Sequence, residues 1–316
     1  MKPALVVVGS LNMDFVVSVD RLPAPGETVL GRDFRMIPGG KGANQACAAG
    51  KLGGDSVHVK LIGRVGYDVF ADHLKASLSA AGVDVTAVHA TRAHPTGVAL
   101  IWVDRTGQNS IVVASGANHE LAAADVEAMR KSFRGAAIAL FQLETPLDTV
   151  EAALKLAREE GAITMLDPAP AQALPASLLE QVDILTPNES EALVLCGRSP
   201  ARISLDEARA LAEELRRLGP RTVIMKLGDQ GSLLLNDSGA RHFPAFLVNV
   251  VDSTAAGDTF NGALAVALVE GKSLEEAIPF ANAAAAISVT RLGAQASAPS
   301  RAEVEELLSA APHDFP

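Results

Sequence analysis

Short apolar segments alternate with longer amphipathic segments over residues 121–226, and this alternation constrains the fold more than any other feature. The longer segments repeat their apolar residues every three or four positions, as helices do, whereas the short ones have the length of buried strands. The predicted strands are residues 137–142, 162–166, 182–185 and 222–226, and the predicted helices are residues 147–159, 189–195 and 204–218. Such alternation is typical of a doubly wound α/β fold, in which helices flank a mainly parallel central sheet.

The first 120 residues predict two more strands of that sheet and a second, smaller sheet. Residues 4–8 are a continuous apolar run, and residues 57–61 alternate as a strand before a loop at 63–68. Residues 15–37 and a hairpin around Asp104-Arg105-Thr106-Gly107 are extended but less apolar, which suits a sheet with one solvated face. We therefore expect a large α/β domain of residues 1–14, 39–93 and 115–316, and a small β-sheet lid of residues 15–38 and 94–114.

Composition argues against several classes of partner. The formal net charge is −10 and there is no Lys/Arg-rich run, whereas nucleic acids and anionic membranes attract clustered positive charge. The apolar run near the start has five residues, which is too short for a signal-peptide core or a membrane span. The two cysteines, Cys47 and Cys196, cannot form a disulfide framework and suit a reducing compartment. We expect a cytoplasmic protein that binds neither nucleic acid nor membrane.

Residues 248–264 have the pattern of an anion site beside an acid. A β-branched apolar run ending at Asp252 predicts a strand, and the small residues before Asp258 predict a tight turn and a helix start. Backbone N–H groups are free at a helix start, and residues 255–257 have so little side chain that a phosphate could approach them. Asp258 would then be a general base for a hydroxyl group that attacks the phosphate. A structural helix cap is the alternative that this stretch alone leaves open.

Polar residues follow many of the predicted strands. Ligands in open α/β sheets bind beyond the carboxyl ends of the strands, although loops are polar in any protein. Carboxylates and amides together suit hydroxyl groups and a divalent metal ion. The set comprises Asn12, Asp14, Glu144, Asp167, Asn188, Glu191, Lys226, Asp252 and Asp258.

Two glycine-rich turns have more than one interpretation. Residues 39–44 lack the Walker A pattern, because Lys41 is followed by Gly42 rather than a hydroxyl residue, and they could be a phosphate loop or a hinge. Residues 228–232 have two glycines three positions apart, which allows close approach to a nucleotide or an ordinary hairpin. The seven histidines show no zinc-ligand spacing, and there is no Gly-x-Ser-x-Gly elbow.

Taken together, these segments resemble the ribokinase-like carbohydrate kinase family. Residues 39–44 (Gly-Gly-Lys-Gly-Ala-Asn) and 252–262 are similar to the two signatures of that family, and further similar segments are residues 9–14, 96–101, 142–144, 168–171 and 186–189. The resemblance implies an ATP-dependent kinase of the 5-hydroxyl group of D-ribose. Alternatives are a kinase of another sugar or nucleoside, such as 2-deoxyribose or a ketohexose, and a sugar-binding regulator without catalysis.

The resemblance also implies roles for individual residues. Asp258 would be the general base, and the N–H groups of Ala255, Ala256, Gly257 and Asp258 would form an anion hole. The sugar would be bound by Asn12, Asp14, Gly40, Lys41, Gly42, Ala43, Asn44, Glu144 and Asp258. ATP would be bound by Asn188, Lys226, Leu227, Gly228, Asp229, Gln230, Gly231, Gly257, Asp258 and Asn282.

Metal ions and a second subunit are further implications of the resemblance. Mg²⁺ would lie near Asn188 and Glu191, and the lids of two subunits would pair in a homodimer. A monovalent cation, usually K⁺, would be held by Asp252, Thr254, Ser288, Arg291, Gly293 and Ser297. The chain departs from the common family pattern at Lys226, where Thr is frequent, at Asp167, where Asn is frequent, and at Ser253-Thr254.

Overall fold

The computed structural model describes residues 2–105 and 108–310. Thr106 and Gly107 of the predicted hairpin turn, and residues 1 and 311–316 of the predicted large domain, lie outside the described residues. The strands are β1 (Ala4–Val8), β2 (Asn12–Ser18), β3 (Asp33–Gly39), β4 (His58–Gly66), β5 (Val83–Asp84), β6 (Val88–Thr91), β7 (Gly97–Val103), β8 (Asn109–Ala114), β9 (Ala136–Phe141), β10 (Ile163–Leu166), β11 (Ile184–Leu185), β12 (Thr222–Lys226), β13 (Ser232–Asn236) and β14 (Gly239–Phe243).

Ten α-helices occur in the described ranges, together with three short 3₁₀ turns at Gly116–Glu120, Arg130–Ser132 and Gly228–Gln230. The α-helices are α1 (Lys41–Gly53), α2 (Val69–Ala80), α3 (Ala123–Ala128), α4 (Leu147–Glu159), α5 (Ala176–Leu179), α6 (Glu189–Leu195), α7 (Leu205–Arg217), α8 (Ala256–Val269), α9 (Leu274–Ser288) and α10 (Arg301–Ala310). None of the helices in these ranges combines the length and the apolar character that a bilayer span requires.

The larger sheet is mainly parallel and has helices on both faces, which confirms the predicted doubly wound α/β fold. Its strand order is β14-β13-β12-β11-β10-β9-β1-β4-β5, with β6 also paired to β4, and only β13 and β14 join antiparallel. The central strand β1 is buried on both sides: Leu5 and Val7 pack toward α1, α8 and α9, and Val6 and Val8 toward α4 and α7. A continuous apolar run is what a strand buried on both faces requires.

The smaller sheet has four strands in the order β3-β2-β7-β8. Strand β1 ends at Val8 and β2 begins at Asn12, so the central strand of the large sheet leads directly into an inner strand of the small one. Strand β2 pairs antiparallel with β3 and parallel with β7, which places Asn12 between Gly39 and Gly97. The separate small sheet confirms the predicted lid, whereas the residue boundaries of the two domains stay a prediction.

Several predicted elements agree with the structure residue for residue, and others were wrong. Strands β1 and β12 and helices α4 and α6 have the predicted bounds. The predicted strand ending at Asp252 was wrong, because no strand lies between β14 and α8 in the described chain, and Leu247 there is 98% exposed. The predicted loop at 63–68 was also wrong in part, because β4 continues to Gly66 and pairs there with β6.

Candidate active site

Helix α8 begins at a strained turn made of small residues. Ala255 precedes the helix with φ of 59°, a left-handed conformation that non-glycine residues seldom adopt. The Ala256 N–H donates to the carbonyl of Ser253 (3.2 Å), whereas the N–H groups of Gly257 and Asp258 have no acceptor in the described part of the chain. One of the four N–H groups of the predicted anion hole, that of Ala256, is therefore engaged within the turn.

Asp258 lies in the first turn of α8 and is 6% exposed. Its carboxylate accepts a hydrogen bond from Asn44 Nδ2 (3.0 Å) and another from Gln45 Nε2 (3.1 Å). Burial raises the pKa of Asp258 to about 6, although the positive charge of Lys41 partly opposes that shift. A carboxyl group with such a pKa is ionised at pH 7 and accepts a proton more readily than an ordinary aspartate.

A chain of buried contacts connects Asp258 to an ion pair. Gln45 Nε2 also donates to Asp167 Oδ2 (2.9 Å), and Gln142 Nε2 donates to Gln45 Oε1 (2.7 Å). Lys226 Nζ donates to the other oxygen of Asp167 at 2.8 Å. Burial alone would lower the pKa of Lys226, but the carboxylates of Asp167 and Glu191 outweigh it and raise that pKa.

The ammonium group of Lys226 lies beside the start of α8. A Cβ atom built on Gly257 would be 3.3 Å from Lys226 Nζ, so the bare Cα lets the ammonium group approach the helix end. A helix N-terminus and an ammonium group together make a site for a negatively charged ligand. This arrangement supports phosphate binding at the predicted turn.

The predicted sugar-binding residues gather at the end of β1 and along β2. Glu144 Oε2 accepts hydrogen bonds from the Lys41 backbone N–H (3.1 Å) and from the Ser10 hydroxyl group. Asp14 Oδ1 and Asn44 Oδ1 are buried without a partner in the described chain. Buried polar atoms are costly when unpaired, so these oxygen atoms mark a place for hydrogen-bond donors of a ligand.

Charges in this pocket influence one another. The pKa of Asp14 is raised to about 7, mainly by burial and in addition by the nearby carboxylates of Glu144 and Asp258. Burial lowers the pKa of Lys41, but four carboxylates led by Asp258 overcome that effect and raise it. Lys41 therefore stays positively charged in this pocket.

Two glycines allow the start of α1 to pack closely against the backbone between β1 and β2. Gly40 has φ of 89°, and a Cβ atom there would lie 2.7 Å from the Asn12 backbone nitrogen. A Cβ atom on Gly42 would lie 2.6 Å from the Ser10 backbone nitrogen, and the Ala43 N–H donates to the Ser10 carbonyl (2.9 Å). Gly42 and Ala43 thus fasten α1 to the turn after β1 through their backbone.

A cavity of about 670 Å³ adjoins Asp258 on the side of Lys226. This volume is within the range of small-molecule sites, and most of the predicted ATP-binding residues line it. Those residues are Asn188, Lys226, Gly228, Asp229, Gly231, Gly257, Asp258 and Asn282. Leu227 instead packs in the core, and the side chain of Gln230 donates to the Ile203 carbonyl (3.2 Å).

Asn188 and Glu191, the two residues predicted near Mg²⁺, hydrogen-bond to each other and so cap the N-terminus of helix α6. Asn188 Oδ1 accepts from the Glu191 N–H (2.8 Å), and Glu191 Oε2 accepts from the Asn188 N–H (2.7 Å). Burial raises the pKa of Glu191, against the opposing effect of Lys226. Both residues line the cavity with oxygen atoms, the ligand type that Mg²⁺ prefers, so the donor set fits this ion.

The residues predicted to hold a monovalent cation lie around the loops before α8 and after α9. Asp252 joins the two loops, because Oδ1 accepts from the Thr254 N–H (2.9 Å) and Oδ2 from the Gly293 N–H (2.9 Å). Ser288 and Ser297 are fully buried, and each hydroxyl group donates to a backbone carbonyl three residues earlier (2.8 Å). These carboxylate, hydroxyl and carbonyl oxygens suit a hard cation.

Arg291 is less suited to that site. Its guanidinium group pairs with Glu303, a residue of the terminal helix α10. A guanidinium group has no acceptor atom, so only the backbone carbonyl of Arg291 could contact a cation.

Sequence reasoning missed three buried amide residues. Gln45 touches Asp258 directly, Gln142 holds Gln45, and Asn118 holds Asn12. Gln45 follows Asn44 in the same glycine-rich segment, so the segment itself contained a signal. Gln142 begins the segment 142–144, which resembles the carbohydrate kinase family, whereas Asn118 offered no signal, because single amides next to loops are common in any sequence.

Comparison with known proteins shows what this chain is similar to. Residues 2–301 match the family described as pfkB family carbohydrate kinase. The ribokinase of Haemophilus influenzae is 43% identical over 310 residues, which cover 98% of this chain and 99% of that protein. The deoxyribokinase of Salmonella typhimurium is 35% identical over 306 residues, which cover 96% and 98%. A solved structure of Arabidopsis thaliana ribokinase complexed with ribose and ATP aligns with a TM-score of 0.91 at 36% identity, covering 98% of this chain and 100% of that one.

Proposed function

This chain belongs to the pfkB family of carbohydrate kinases, and we propose that it phosphorylates the 5-hydroxyl group of D-ribose. Its full-length similarity to ribokinases makes it an ATP-dependent sugar kinase. The observation that carries the finer proposal is the position of Asp258, a buried acid between the 670 Å³ cavity and the polar pocket of β2. The products would be D-ribose 5-phosphate and ADP.

Asp258 is proposed as the general base. The sugar hydroxyl oxygen would bond to the γ-phosphorus while the bond from that phosphorus to the bridging oxygen of ADP breaks. Asp258 would accept the hydroxyl proton as the oxygen becomes more acidic. The hydrogen bonds from Asn44 and Gln45 support this role, because they fix the carboxylate in one orientation.

The start of α8 is proposed to bind the phosphoryl group that is transferred. The N–H groups of Gly257 and Asp258 and the ammonium group of Lys226 would stabilise its negative charge. Lys41, which also lines the cavity, would add a second positive charge from the side of the sugar. These groups are held by the fold before a ligand arrives, so little reorganisation is needed.

The sugar is proposed to bind among Asn12, Asp14, Asn44 and Glu144. The unpartnered oxygen atoms of Asp14 and Asn44 support this assignment, since a sugar hydroxyl group would satisfy each of them.

Mg²⁺ and K⁺ are proposed as cofactors. Asn188 and Glu191 would hold Mg²⁺ directly or through water, and when bound with ATP the ion would neutralise charge on the phosphate oxygens. Asp252, Thr254, Ser288, Ser297 and the carbonyls of Arg291 and Gly293 would hold K⁺. That cation would add positive potential behind the α8 turn without contacting ATP.

A homodimer joined through the lids is also proposed. The outer strands of the small sheet expose the apolar side chains of Phe34, Met36, Ile111, Val112 and Val113. Exposed apolar residues on sheet edges favour association, which covers both the side chains and the unpaired strand edges. We also propose that the enzyme is cytoplasmic, because the free thiols of Cys47 and Cys196 would stay reduced there.

An assay of ADP formation over a panel of sugars tests the proposed acceptor. We expect ribose to give the highest kcat/KM, with 2-deoxyribose, fructose and adenosine as competitors. The similarity to a deoxyribokinase makes 2-deoxyribose the second candidate. A site that hydrogen-bonds a hydroxyl group discriminates against the sugar that lacks it, so a preference for 2-deoxyribose would overturn ribose as the substrate. Sugar binding with no ADP formed would instead support a regulator.

A further inference from the structure

Asn118 is a fully buried amide that contacts the proposed sugar site without belonging to it. It lies in the 3₁₀ turn Gly116–Glu120, just after the last strand of the small sheet. Its side chain accepts from the Leu11 N–H (2.9 Å) and donates both to the Leu11 carbonyl (3.0 Å) and to Asn12 Oδ1 (2.7 Å). Every polar atom of the Asn118 side chain therefore has a partner.

These contacts determine which way the amide of Asn12 faces. The backbone of Leu11 presents one donor and one acceptor, so it allows only one orientation of the Asn118 amide. The remaining hydrogen of Asn118 Nδ2 is donated to the Asn12 amide, in which only the oxygen can accept it. The Nδ2 group of Asn12 is left to face the opposite side as a hydrogen-bond donor.

The neighbouring amide has the opposite polarity. Asn44 Nδ2 donates to the carboxylate of Asp258, so Asn44 presents its unpartnered oxygen as an acceptor. Gly97 supports the Asn12 arrangement, because a Cβ atom there would lie 2.3 Å from Asn12 Oδ1 and 2.4 Å from Asn118 Nδ2. The Asn12–Asn118 contact thus requires glycine at position 97.

We propose that Asn118 is a positioning residue that turns the N–H₂ group of Asn12 toward the bound sugar. The sugar hydroxyl group opposite Asn12 must then accept a hydrogen bond, whereas the one opposite Asn44 must donate one. This inference rests on the proposed sugar kinase function. It adds a determinant of sugar specificity that acts through Asn12 and touches no ligand.

Kinetics of Asn118→Asp and Asn118→Ala test the proposal. Aspartate has the same shape but cannot donate, so it repels Asn12 Oδ1 and favours the reversed amide. We expect kcat/KM for ribose to fall at least ~10-fold in Asn118→Asp, with KM for ATP unchanged within ~2-fold. In an Asn12→Ala background the same substitution should cost less than ~2-fold, because its target is gone.

Two further measurements separate positioning from folding and from the proposed function. Ribose, 2-deoxyribose and 3-deoxyribose are compared in each variant, and one deoxy sugar should lose its disadvantage when Asn12 is reversed. If the Asn118 variants do not fold, Gly97→Ala replaces them, because it disturbs the same contact between Asn12 and Asn118. We expect it to lower kcat/KM for ribose in the same way. Equal costs with and without Asn12, or equal rises in KM for both substrates, would overturn the proposal. If the unsubstituted enzyme phosphorylates no sugar in the panel, the proposed function fails instead.

Discussion

Lys226 and Asp167 form an ion pair with 2.8 Å between Nζ and Oδ1, and Asp167 is only 3% exposed. A buried carboxylate is costly when its partner is removed, and the pair as a whole adds little stability over a neutral pair. Because Lys226 also lies beside the start of α8, its loss would affect both folding and nucleotide binding. These two effects can be separated experimentally.

Lys226→Met should destabilise the protein, and Asp167→Asn in addition should restore most of the loss. We expect the single substitution to lower the free energy of unfolding by about 3–5 kcal/mol, because an unpaired charge is left buried. In the double variant the melting temperature should recover, whereas KM for ATP should stay raised because the ammonium group is absent. Recovery of ATP affinity together with stability would show that Lys226 does not contact the phosphates.

Asp258→Asn should abolish turnover without loss of fold or ATP binding. We expect kcat to fall at least ~10²-fold, because the amide cannot accept the hydroxyl proton. Asp72→Asn is the matched control, since Asp72 also lies in the first turn of a helix, α2, but is exposed. Turnover near normal in Asp258→Asn would refute the assignment of the base.

The same substitution should make the protein more stable at pH 8. The pKa of Asp258 is about 6 in the folded protein and ordinary in the unfolded chain, so the folded state binds the proton more tightly. Stability therefore falls as the pH rises from about 4 to about 6 and stays lower above that range. Asparagine does not ionise, and its advantage in melting temperature should shrink as the pH is lowered toward 4.

Lys41→Met should move the acid limb of the kcat profile to higher pH. Lys41 is the strongest charged group opposing the raised pKa of Asp258, so its removal should raise that pKa above about 6. We would measure kcat at saturating sugar from pH 5 to 9, with the exposed Lys155→Met as control. A limb that stays in place would mean that another group governs the profile.

Asp252→Asn should weaken activation by K⁺. The substitution removes the negative charge, and it replaces one of the two oxygen atoms that accept the Thr254 and Gly293 N–H groups. We expect a higher K⁺ concentration at half-maximal ADP formation, at constant ionic strength kept with tetramethylammonium. Asp237→Asn, an exposed control, should leave that concentration unchanged. An enzyme indifferent to K⁺ before substitution would remove the cation from the proposal.

Ile111→Asp should shift the proposed dimer to monomers. Ile111 is 51% exposed on the outer strand β8 of the small sheet, and a buried charge there would oppose pairing. Ile163→Asp is the matched control, since Ile163 is 45% exposed but lies on β10 of the large sheet. Sedimentation analysis of the three proteins gives the result, and an unsubstituted protein that is monomeric would contradict the dimer directly.

Periodicity predicted the elements that carry their own pattern. Strand β1 is apolar at every position because both faces are buried, and α4 shows an amphipathic repeat, so both were correct to the residue. The run before Asp252 is equally rich in β-branched residues, but among the described residues no strand lies beside it to pair with, and Val251 is 57% exposed. Pairing partners decide such cases, as they do for the extension of β4 to Gly66, and sequence pattern does not reveal them.

The site residues also fall into two groups, those that the sequence indicated and those that it did not. Asp258, Lys41 and Asn44 belong to short segments whose composition already indicates chemistry, and the fold brings them together. Gln142 and Asn118 come from distant segments, and their importance depends on which atoms face them. Hydrogen-bond complementarity of that kind exists only after folding.

The direct passage from β1 into β2 has a consequence for fidelity. Asp14 and Asn12 belong to one sheet and Asp258 to a helix packed on the other, so the distance from the hydroxyl group of a bound sugar to the proposed base would depend on the angle between the sheets. A sugar of the wrong shape would keep the two sheets apart, and its hydroxyl group would then stay too far from Asp258. Phosphoryl transfer would then begin only with a sugar whose shape lets the two sheets approach, and ATP would not be hydrolysed in the presence of other sugars.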